Sequence, residues 1–272
     1  MFTSLIITLT LSLYDGTPHD DRRGPEGVAS DVSEVDEVRV GPGRFRLMYP
    51  APNEPREVDV PAFRLDTRQV TNAEFLGFVT SHARWGRDVI KRVFADPTYL
   101  SHWDGPMALG EPRTDNRPDQ PVTRVSWFAA KAYCVAQGKR LPTELEWERA
   151  AAADDTKPDA RADEAFQRHI LSWYGQPSTH VLPAAGMGAA NLYGVKDLHG
   201  LVWEWVHDFN NTMVTGDNRE RGSADKMQFC GAGALAASDD ADYASFMRYA
   251  LRSSLSAAFT ARTLGFRCAR SE

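Results

Sequence analysis

Residues 191–208 read NLYGVKDLHGLVWEWVHD and contain a glycine turn flanked by two carboxylates. Asp197 and Glu204 bracket a short loop, so their carboxylates and the backbone carbonyl oxygens of Gly200 and Val202 could together surround a cation. Calcium accepts such an all-oxygen ligand set at flexible geometry. The alternative is a capped turn that carries a surface carboxylate. The residue pattern alone leaves both interpretations open.

Two tryptophans surround Glu204 in the same stretch. Because Trp203 and Trp205 alternate with the glutamate, we expect one indole to face the core and the other to face the surface. His199 and His207 flank this segment and could meet in space as ligands of a transition metal. Histidines at such positions are more often surface or structural groups, so this metal site is the lesser interpretation.

Length, charge and hydropathy limit the class of protein. The chain has 272 residues, of which 42% are apolar and 25% are charged. No apolar run approaches the roughly 20 residues of a membrane-spanning helix, so we expect no membrane-spanning segment. The net charge of -6 at pH 7 provides no basic surface for phosphate backbones, and nucleic acid is therefore not an expected partner.

The first 36 residues are expected to differ from the folded body, which we place at residues 37–272. Residues 5–13, LIITLTLSL, have the length of a signal-peptide core, but no Lys or Arg precedes them and no small-residue cleavage site follows. Their alternation suits a half-buried strand equally well. Residues 14–36 are rich in Asp, Arg, Gly and Pro, which predicts a flexible polar arm. Residues 37–272 contain no internal repeat and predict one α+β domain.

Short strands are predicted near the start of that domain. Residues 38–48 predict a hairpin that turns at residues 41–43, and residues 58–65 predict a further strand.

Three helix starts follow. Thr71 and Thr143 each precede a glutamate by three residues, which is the capping-box pattern, and Ser126 is a third cap. Gly138 is expected to end the second helix. Beyond Asp154 regular helix signals fade, so we expect a mostly irregular second half.

Three segments together resemble the formylglycine-generating-enzyme family, also called sulfatase-modifying factors. They are residues 191–208, residues 121–151 (PVTRVSWFAAKAYCVAQGKRLPTELEWERAA) and residues 248–268 (RYALRSSLSAAFTARTLGFRC). RLPTE followed by EWE, then VWEW and the closing GFR, occur in the family's order along one chain, with a weaker match at residues 63–79. The resemblance implies a variant of the C-type lectin fold, an α+β fold with little regular secondary structure.

The family's oxidases hold copper with two cysteine thiolates, since a cuprous ion prefers soft sulfur ligands. If residues 231–233 match the family's glycine turn, the first cysteine position is Ala236 and the second is Ala241 or Ala244. Cys230 supplies the one thiol nearby. We therefore expect no copper, and Cys230 is the candidate catalytic residue of a different ligand set.

The resemblance also implies a structural calcium ion. The family places this ion on the side chains of Asp197 and Glu204 and on the carbonyl oxygens of Gly200 and Val202. These residues are therefore the predicted metal ligands, and Ca²⁺ is the expected cofactor.

Some exported members of the family carry a disulfide that corresponds to Cys134–Cys268, which implies an oxidising compartment. The alternative is two buried free thiols in a cytosolic protein. Arg248, Arg252 and Arg267 in the closing segment are expected to pair with carboxylates. The expected acidic partners are Glu144, Glu146, Glu148 and Glu204, and Arg140 is expected in the same network.

These points favour a non-oxidase member of the family, an exported binding or maturation accessory that is periplasmic or secreted. Its cleft, near Trp203, Tyr243, Phe246 and Arg248, would hold a polypeptide or a partner enzyme. Similar FMRYA.RSSL segments occur in a branch of the family encoded near copper nitrite reductases, which implies a redox enzyme as partner. The alternative is a metal-dependent oxidase or sulfatase-modifying enzyme with another ligand set around Cys230. A weaker third reading is a ligand-binding receptor with a variable surface.

Overall fold

The computed structural model describes residues 36–48, 55–110, 115–175, 181–209 and 240–272. All of them belong to one compact unit, Ser33–Glu272. The strands in these ranges are β1 (Glu37–Val40), β2 (Gly43–Arg46), β3 (Glu57–Val60), β4 (Phe63–Asp66), β5 (Trp203–Glu204), β6 (Leu264–Gly265) and β7 (Ala269–Ser271). The helices are α1 (Asn72–Ser81), α2 (Trp127–Ala136), α3 (Glu144–Ala151), α4 (Glu164–Tyr174) and α5 (Asp240–Ser254), with a 3₁₀ turn at Ala83–Trp85.

The strands form three small sheets. β1, β4 and β7 make an antiparallel sheet in the order β1-β4-β7, β2 pairs with β3, and β5 pairs with β6 in parallel. The hairpin predicted for residues 38–48 is wrong, because β1 and β2 belong to different sheets. Pro42 has no N–H to give to a ladder, and the chain crosses from one sheet to the next at this point. Pro61 likewise divides the strand predicted at residues 58–65 into β3 and β4.

All three predicted helix starts are confirmed. The hydroxyl groups of Thr71 and Thr143 accept hydrogen bonds from the backbone N–H of Glu74 and Glu146. Each glutamate carboxylate in turn accepts from the backbone N–H of its threonine, so both capping boxes are complete. Ser126 caps α2 through Ala129 N. α2 ends before Gly138, whose positive φ of 67° suits the helix C-terminus.

The second half contains two helices that the sequence analysis did not predict, α4 and α5, although most of its described residues lie outside helices and strands, as expected. Asp163 caps α4 by accepting from Ala165 N and Phe166 N. Phe166, Ile170 and Trp173 then recur at helical spacing, a signal that the sequence did contain.

The core is built around aromatic side chains of α1, α2 and the C-terminal segment. Phe75 packs against Tyr133 and Phe266 with ring centroids 5.8 and 6.0 Å apart. Phe266 and Phe75 are fully buried. The C-terminal residues therefore belong to the centre of the domain. No helix in the described ranges is long and apolar enough to cross a membrane.

A disulfide joins α2 to this C-terminal segment. Cys134 and Cys268 are bonded, both are fully buried, and their Cα atoms lie 5.6 Å apart. Cys268 directly precedes β7, which pairs with β4. The disulfide implied by the family resemblance is thus present, and it ties the last strand to the second helix.

We predict a large stability loss when this bond is removed. The two cysteines are 134 positions apart, and closing a loop of that size corresponds to about 5 kcal/mol in the chain-entropy model. The double variant Cys134→Ala/Cys268→Ala should lower the free energy of unfolding by about 2–5 kcal/mol in urea denaturation at neutral pH.

The single variants provide the control. Because either substitution alone breaks the bond, Cys134→Ala and the double variant should differ by less than about 1 kcal/mol. A double variant as stable as the wild type, or single effects that simply add, would contradict a stabilising disulfide.

Candidate functional site

The predicted cleft begins at β5 and α4. Trp203 stacks on Tyr174 with ring centroids 4.9 Å apart and an interplanar angle of 27°, and it lies 5.3 Å from the ring of Trp173. These three half-buried side chains are called the aromatic shelf below. Trp205 points the other way, is 1% exposed, and donates its indole N–H to Val125 O. The predicted division between one core and one surface indole is confirmed.

Helix α5 brings the other cleft residues to different depths. Tyr243 is 42% exposed, whereas Phe246 and Arg248 are buried. The hydroxyl of Tyr174 donates to Ala244 O at 3.2 Å, so the start of α5 contacts the aromatic shelf. Of the predicted cleft residues on α5, Tyr243 is therefore the exposed one, and its ring stacks on that of Phe246.

Arg248 is enclosed by protein partners. Its Nε and Nη2 donate to the Glu148 carboxylate at 2.7–3.1 Å, and Nη1 donates to Tyr174 Oη at 3.0 Å. Nη2 also donates to Ser245 Oγ at 2.9 Å. Arg248 therefore holds α5 and the aromatic shelf against α3, and its carboxylate partner lies inside the domain.

Glu148 is the centre of a buried charge network. Arg252 joins it through Nη1, which donates to Glu148 Oε1 at 2.7 Å and to Glu144 Oε1 at 3.3 Å. Burial alone would raise the pKa of Glu148, but the guanidinium groups of Arg248 and Arg252 outweigh it and lower this pKa to about 2. Glu148 is thus ionised at neutral pH. The predicted pairing of these arginines with carboxylates is confirmed.

The space behind the aromatic shelf is very small. A cavity of about 10 Å³ lies among Trp147, Trp173, Trp203 and the side chains of α5. That volume is at the lower limit of what admits one water molecule. Ligand contact in this region must therefore use the exposed faces of the shelf.

The copper positions can be located only in part. Ala244, one candidate for the second cysteine position, is 1% exposed on α5. Cys230 and Ala236 lie outside the described residues, as does the side chain of Ala241. The chain has 3 cysteines, and the disulfide between Cys134 and Cys268 uses two of them.

The predicted calcium ligand Glu204 has other partners. Its side chain is 0% exposed, and Arg267 donates to both carboxylate oxygens at 2.8 Å. Gln69 Nε2 donates to Oε1 at 2.7 Å and Trp147 Nε1 donates to Oε2 at 2.8 Å. Both oxygens are thus surrounded by N–H donors.

Arg267 is the cation of this site. It is fully buried, and its remaining N–H groups donate to the carbonyl oxygens of Asp66, Thr67 and Lys196. A second cation at Glu204 would meet the positive charge of a guanidinium group held by five hydrogen bonds. Glu204 therefore does not fit the role of a calcium ligand.

Asp197 closes the loop through backbone contacts. It has a positive φ of 57°, and its carboxylate accepts from Gly186 N at 2.6 Å and Gly188 N at 2.8 Å. The described residues contain no group of three or more His, Cys, Asp or Glu side chains arranged to hold a metal ion. The donor set of Asp197, Gly200, Val202 and Glu204 is thus organised as a capped loop and a buried ion pair.

His199 and His207 have separate environments. The His199 ring lies between Trp147 and Phe166, and its Nε2 hydrogen bonds to Ala151 O at 2.8 Å. Burial, together with the charge of Arg248, lowers the pKa of His199 to about 3. His207 packs beside Trp127. The structure does not bring the two histidines together as ligands.

Sequence reasoning missed two members of the aromatic shelf. Trp173 and Tyr174 lie on α4, which was not predicted. The aspartate cap at Asp163 and the helical spacing after it were the signals that could have found them.

Comparison with known proteins matches this arrangement to one family. A sequence model described as the sulfatase-modifying factor enzyme 1-like domain matches residues 26–272. The chain aligns with the formylglycine-generating enzyme of Streptomyces coelicolor over 299 aligned positions at 30% identity. This alignment covers 90% of this chain and 92% of that enzyme. The chain is 31% identical over 207 residues to a Mus musculus protein named inactive C-alpha-formylglycine-generating enzyme 2, covering 62% and 70%.

A hercynine oxygenase of Mycolicibacterium thermoresistibile is 36% identical over 161 residues. That match covers 55% of this chain but only 36% of the oxygenase, so the chain spans little more than a third of that relative. The solved structure of PvdO from Pseudomonas aeruginosa has a TM-score of 0.50 at 21% identity, covering 87% of this chain and 94% of that one. The similarity to PvdO concerns the fold alone.

The fold is therefore the α+β fold of the formylglycine-generating enzymes, and its description as a C-type lectin variant stays a prediction. Because the family model extends over nearly all of the domain, the chain belongs to the sulfatase-modifying factor enzyme 1-like family.

Proposed function

We propose that this protein binds a polypeptide or a partner enzyme and does not carry out the copper-dependent oxidation of cysteine. The main support for this proposal is the number of thiols available to bind copper. Of 3 cysteines, Cys134 and Cys268 are bonded to each other, which leaves Cys230 as the single thiol. A copper site that needs two thiolates cannot be assembled from one.

Two further observations support this proposal. Ala244 occupies one of the candidate positions for the second copper ligand, and its methyl group cannot coordinate a metal. The relative from Mus musculus bears the word inactive in its name, so the family includes members described in that way.

The aromatic shelf with Tyr243 is the surface we propose for binding. Aromatic side chains provide large contact areas and lose little entropy on binding, and they dominate many protein interfaces. Arg248 and Glu148 fix the position of the shelf from behind, so it is preorganised. A redox enzyme is the class of partner that the family resemblance favours.

We also propose that the protein is exported to the periplasm or secreted. Support comes from the buried Cys134–Cys268 disulfide, since such bonds persist in oxidising compartments and are rare in reducing ones.

For the cofactor, we infer that Arg267 takes the place of a cation at Glu204. The bidentate contact neutralises the carboxylate inside the domain. The family's calcium would then be unnecessary for folding in this chain.

The binding surface is tested with a displayed library of short peptides. A peptide selected on the wild-type protein should lose at least about tenfold in affinity for Trp203→Ala and for Tyr243→Ala, because truncating central aromatic contacts costs that much or more. Biolayer interferometry measures the affinity, and thermal unfolding verifies that each variant is folded.

Phe259→Ala is the matched control, since Phe259 is exposed to a similar extent, 39% against 42% for Tyr243. It should leave the affinity unchanged. Failure to select any saturable peptide, or equal losses in the control, would count against the aromatic shelf as a binding surface.

The cation assignment predicts that calcium does not stabilise the protein. A ligand present at a hundred times its dissociation constant adds about 2.7 kcal/mol, which would shift the unfolding midpoint by about 5 °C or more. Differential scanning calorimetry with excess EDTA and with excess CaCl₂ should give the same midpoint. A midpoint that falls in EDTA and recovers with calcium would refute the assignment.

Arg267→Met supplies the second half of that test. It leaves the Glu204 carboxylate buried without its counter-charge, and the free energy of unfolding should fall by about 3–5 kcal/mol. The control is Arg44→Met, which breaks the exposed pair of Arg44 and Glu57 and should cost less than about 1 kcal/mol.

A further inference from the structure

A surface loop between α1 and α2 combines exposed apolar side chains with basic ones. Residues 84–94 read RWGRDVIKRVF, begin in the 3₁₀ turn and continue as a series of turns, and they are called the basic loop below. The rings of Trp85 and Phe94 lie 6.1 Å apart, so the two ends of the loop meet at its base. Compact surface loops with such closed ends frequently have a function.

Apolar side chains of this loop are exposed to solvent. Val89 is 59% exposed, Val93 is 67% exposed, and Phe94 is also exposed. Met107 is a further exposed apolar residue, and its terminal methyl group lies beside Gly86 of the loop. Single exposed apolar residues are ordinary on protein surfaces, but several on one short loop indicate an interaction surface.

One cation of the loop is used to hold it against the domain. Arg87 Nη1 donates to Trp103 O at 2.7 Å, and its Nε lies 3.7 Å from Oδ1 of Asp88. Asp88 is the one acidic residue in the sequence of the loop. The negative charge of the loop therefore has its partner within the loop itself.

Three other cations have no acidic partner. Arg84, Lys91 and Arg92 are exposed, and within the described ranges none of them forms an ion pair. Arg84 instead lies over the ring of Trp85, 5.4 Å from its centroid. With 4 basic residues and 1 acidic residue the loop has a net charge of +3, whereas the whole chain has -6. This local charge favours an anionic occupant.

We propose that the basic loop binds the surface of a lipid bilayer that contains anionic lipids. The unpaired cations face the headgroup phosphates, and the exposed apolar side chains enter the boundary between headgroups and acyl chains. Both kinds of side chain are needed for this mode of binding, and the loop supplies both. The contact is with one surface of the bilayer and requires no membrane-spanning segment.

Other occupants suit the loop less well. The same loop of a second copy carries the same positive charges, so a symmetric contact between two loops is repulsive. Val89 and Val93 keep more than half of their surface exposed, so a rigid protein partner needs a concave surface that matches them. A bilayer surface is soft and needs no such match.

Sedimentation of the full chain with vesicles at neutral pH and low salt tests the proposal. The probes are vesicles of phosphatidylcholine alone and vesicles that also contain phosphatidylglycerol. The protein should bind the anionic vesicles at least about tenfold more tightly, and added salt should weaken this binding. A chain with a net charge of -6 is otherwise repelled by an anionic surface, so net charge alone predicts the opposite result.

A charge variant assigns the binding to the loop. Lys91→Gln/Arg92→Gln removes two unpaired cations and should weaken binding to the anionic vesicles about twentyfold, at about fivefold for each charge. The matched control is Arg44→Gln/Arg168→Gln, which changes the net charge equally at two exposed sites elsewhere. The control should weaken binding by less than about threefold, because its charges lie outside the loop.

An apolar variant tests insertion into the bilayer. Val89→Ser/Val93→Ser should weaken binding to the anionic vesicles at least about tenfold, since the apolar contact is lost while the charges remain. Met187→Ser, at an exposed apolar residue of another region, should change nothing. Residues 5–13 are present in every sample, so differences between variants report on the loop. Thermal unfolding verifies that each variant is folded.

Each outcome decides the proposal. Equal binding to both kinds of vesicle, the absence of saturable binding, or equal losses in the two charge variants would overturn it. A loss on removing the cations without a loss on removing the valines would also overturn it, in favour of a soluble acidic partner. The basic loop shares no residue with the aromatic shelf, so Trp203→Ala should bind vesicles like the wild type whether or not the proposed function holds.

Discussion

The disulfide between Cys134 and Cys268 is the constraint on which both the fold and the function depend. It ties α2 to the C-terminal segment, whose Phe266 and Arg267 lie at the centre of the domain. It also consumes two of the chain's 3 cysteines. The same bond therefore stabilises the family's frame and leaves Cys230 as the one thiol of a chain in which a two-thiolate copper site would need two.

Buried ion pairs complete that frame. Glu148 with Arg248 and Glu204 with Arg267 connect α3 and β5 to the closing segment, and all four side chains are almost fully buried. Such pairs contribute little net stability compared with apolar packing, but breaking one partner is costly. They therefore specify position, because they hold α5 and the aromatic shelf in one arrangement against α3 and β5.

Parts of this fold could be read from the sequence because the signals are local. The capping residues Thr71 and Thr143 fix helix starts within a few positions, and the alternation around Glu204 correctly separates the two indoles. Strand pairing was predicted less well. The link at Gly41–Pro42 looks like a hairpin turn, but which strand pairs with which depends on contacts with β3 and β4 that no local pattern reveals.

The candidate site shows the same division. Pairing of the arginines with glutamates followed from charge and family order, and the structure confirms it. The partner of Glu204 could not be predicted in the same way. Its carboxylate lies against the guanidinium group of Arg267, which is remote in sequence, and no local pattern around Glu204 indicates this contact.

The affinity of the native protein for cuprous ion is the most direct test of the claim that this chain is not a copper oxidase. Metal-free protein with its disulfide intact is titrated without oxygen against a coloured cuprous chelator, and oxygen uptake with a thiol substrate is then recorded. The account predicts that the protein withdraws no stoichiometric copper from the chelator and that Cys230→Ser behaves like the wild type. A one-to-one cuprous complex that consumes oxygen with the thiol, and is lost in Cys230→Ser, would contradict it.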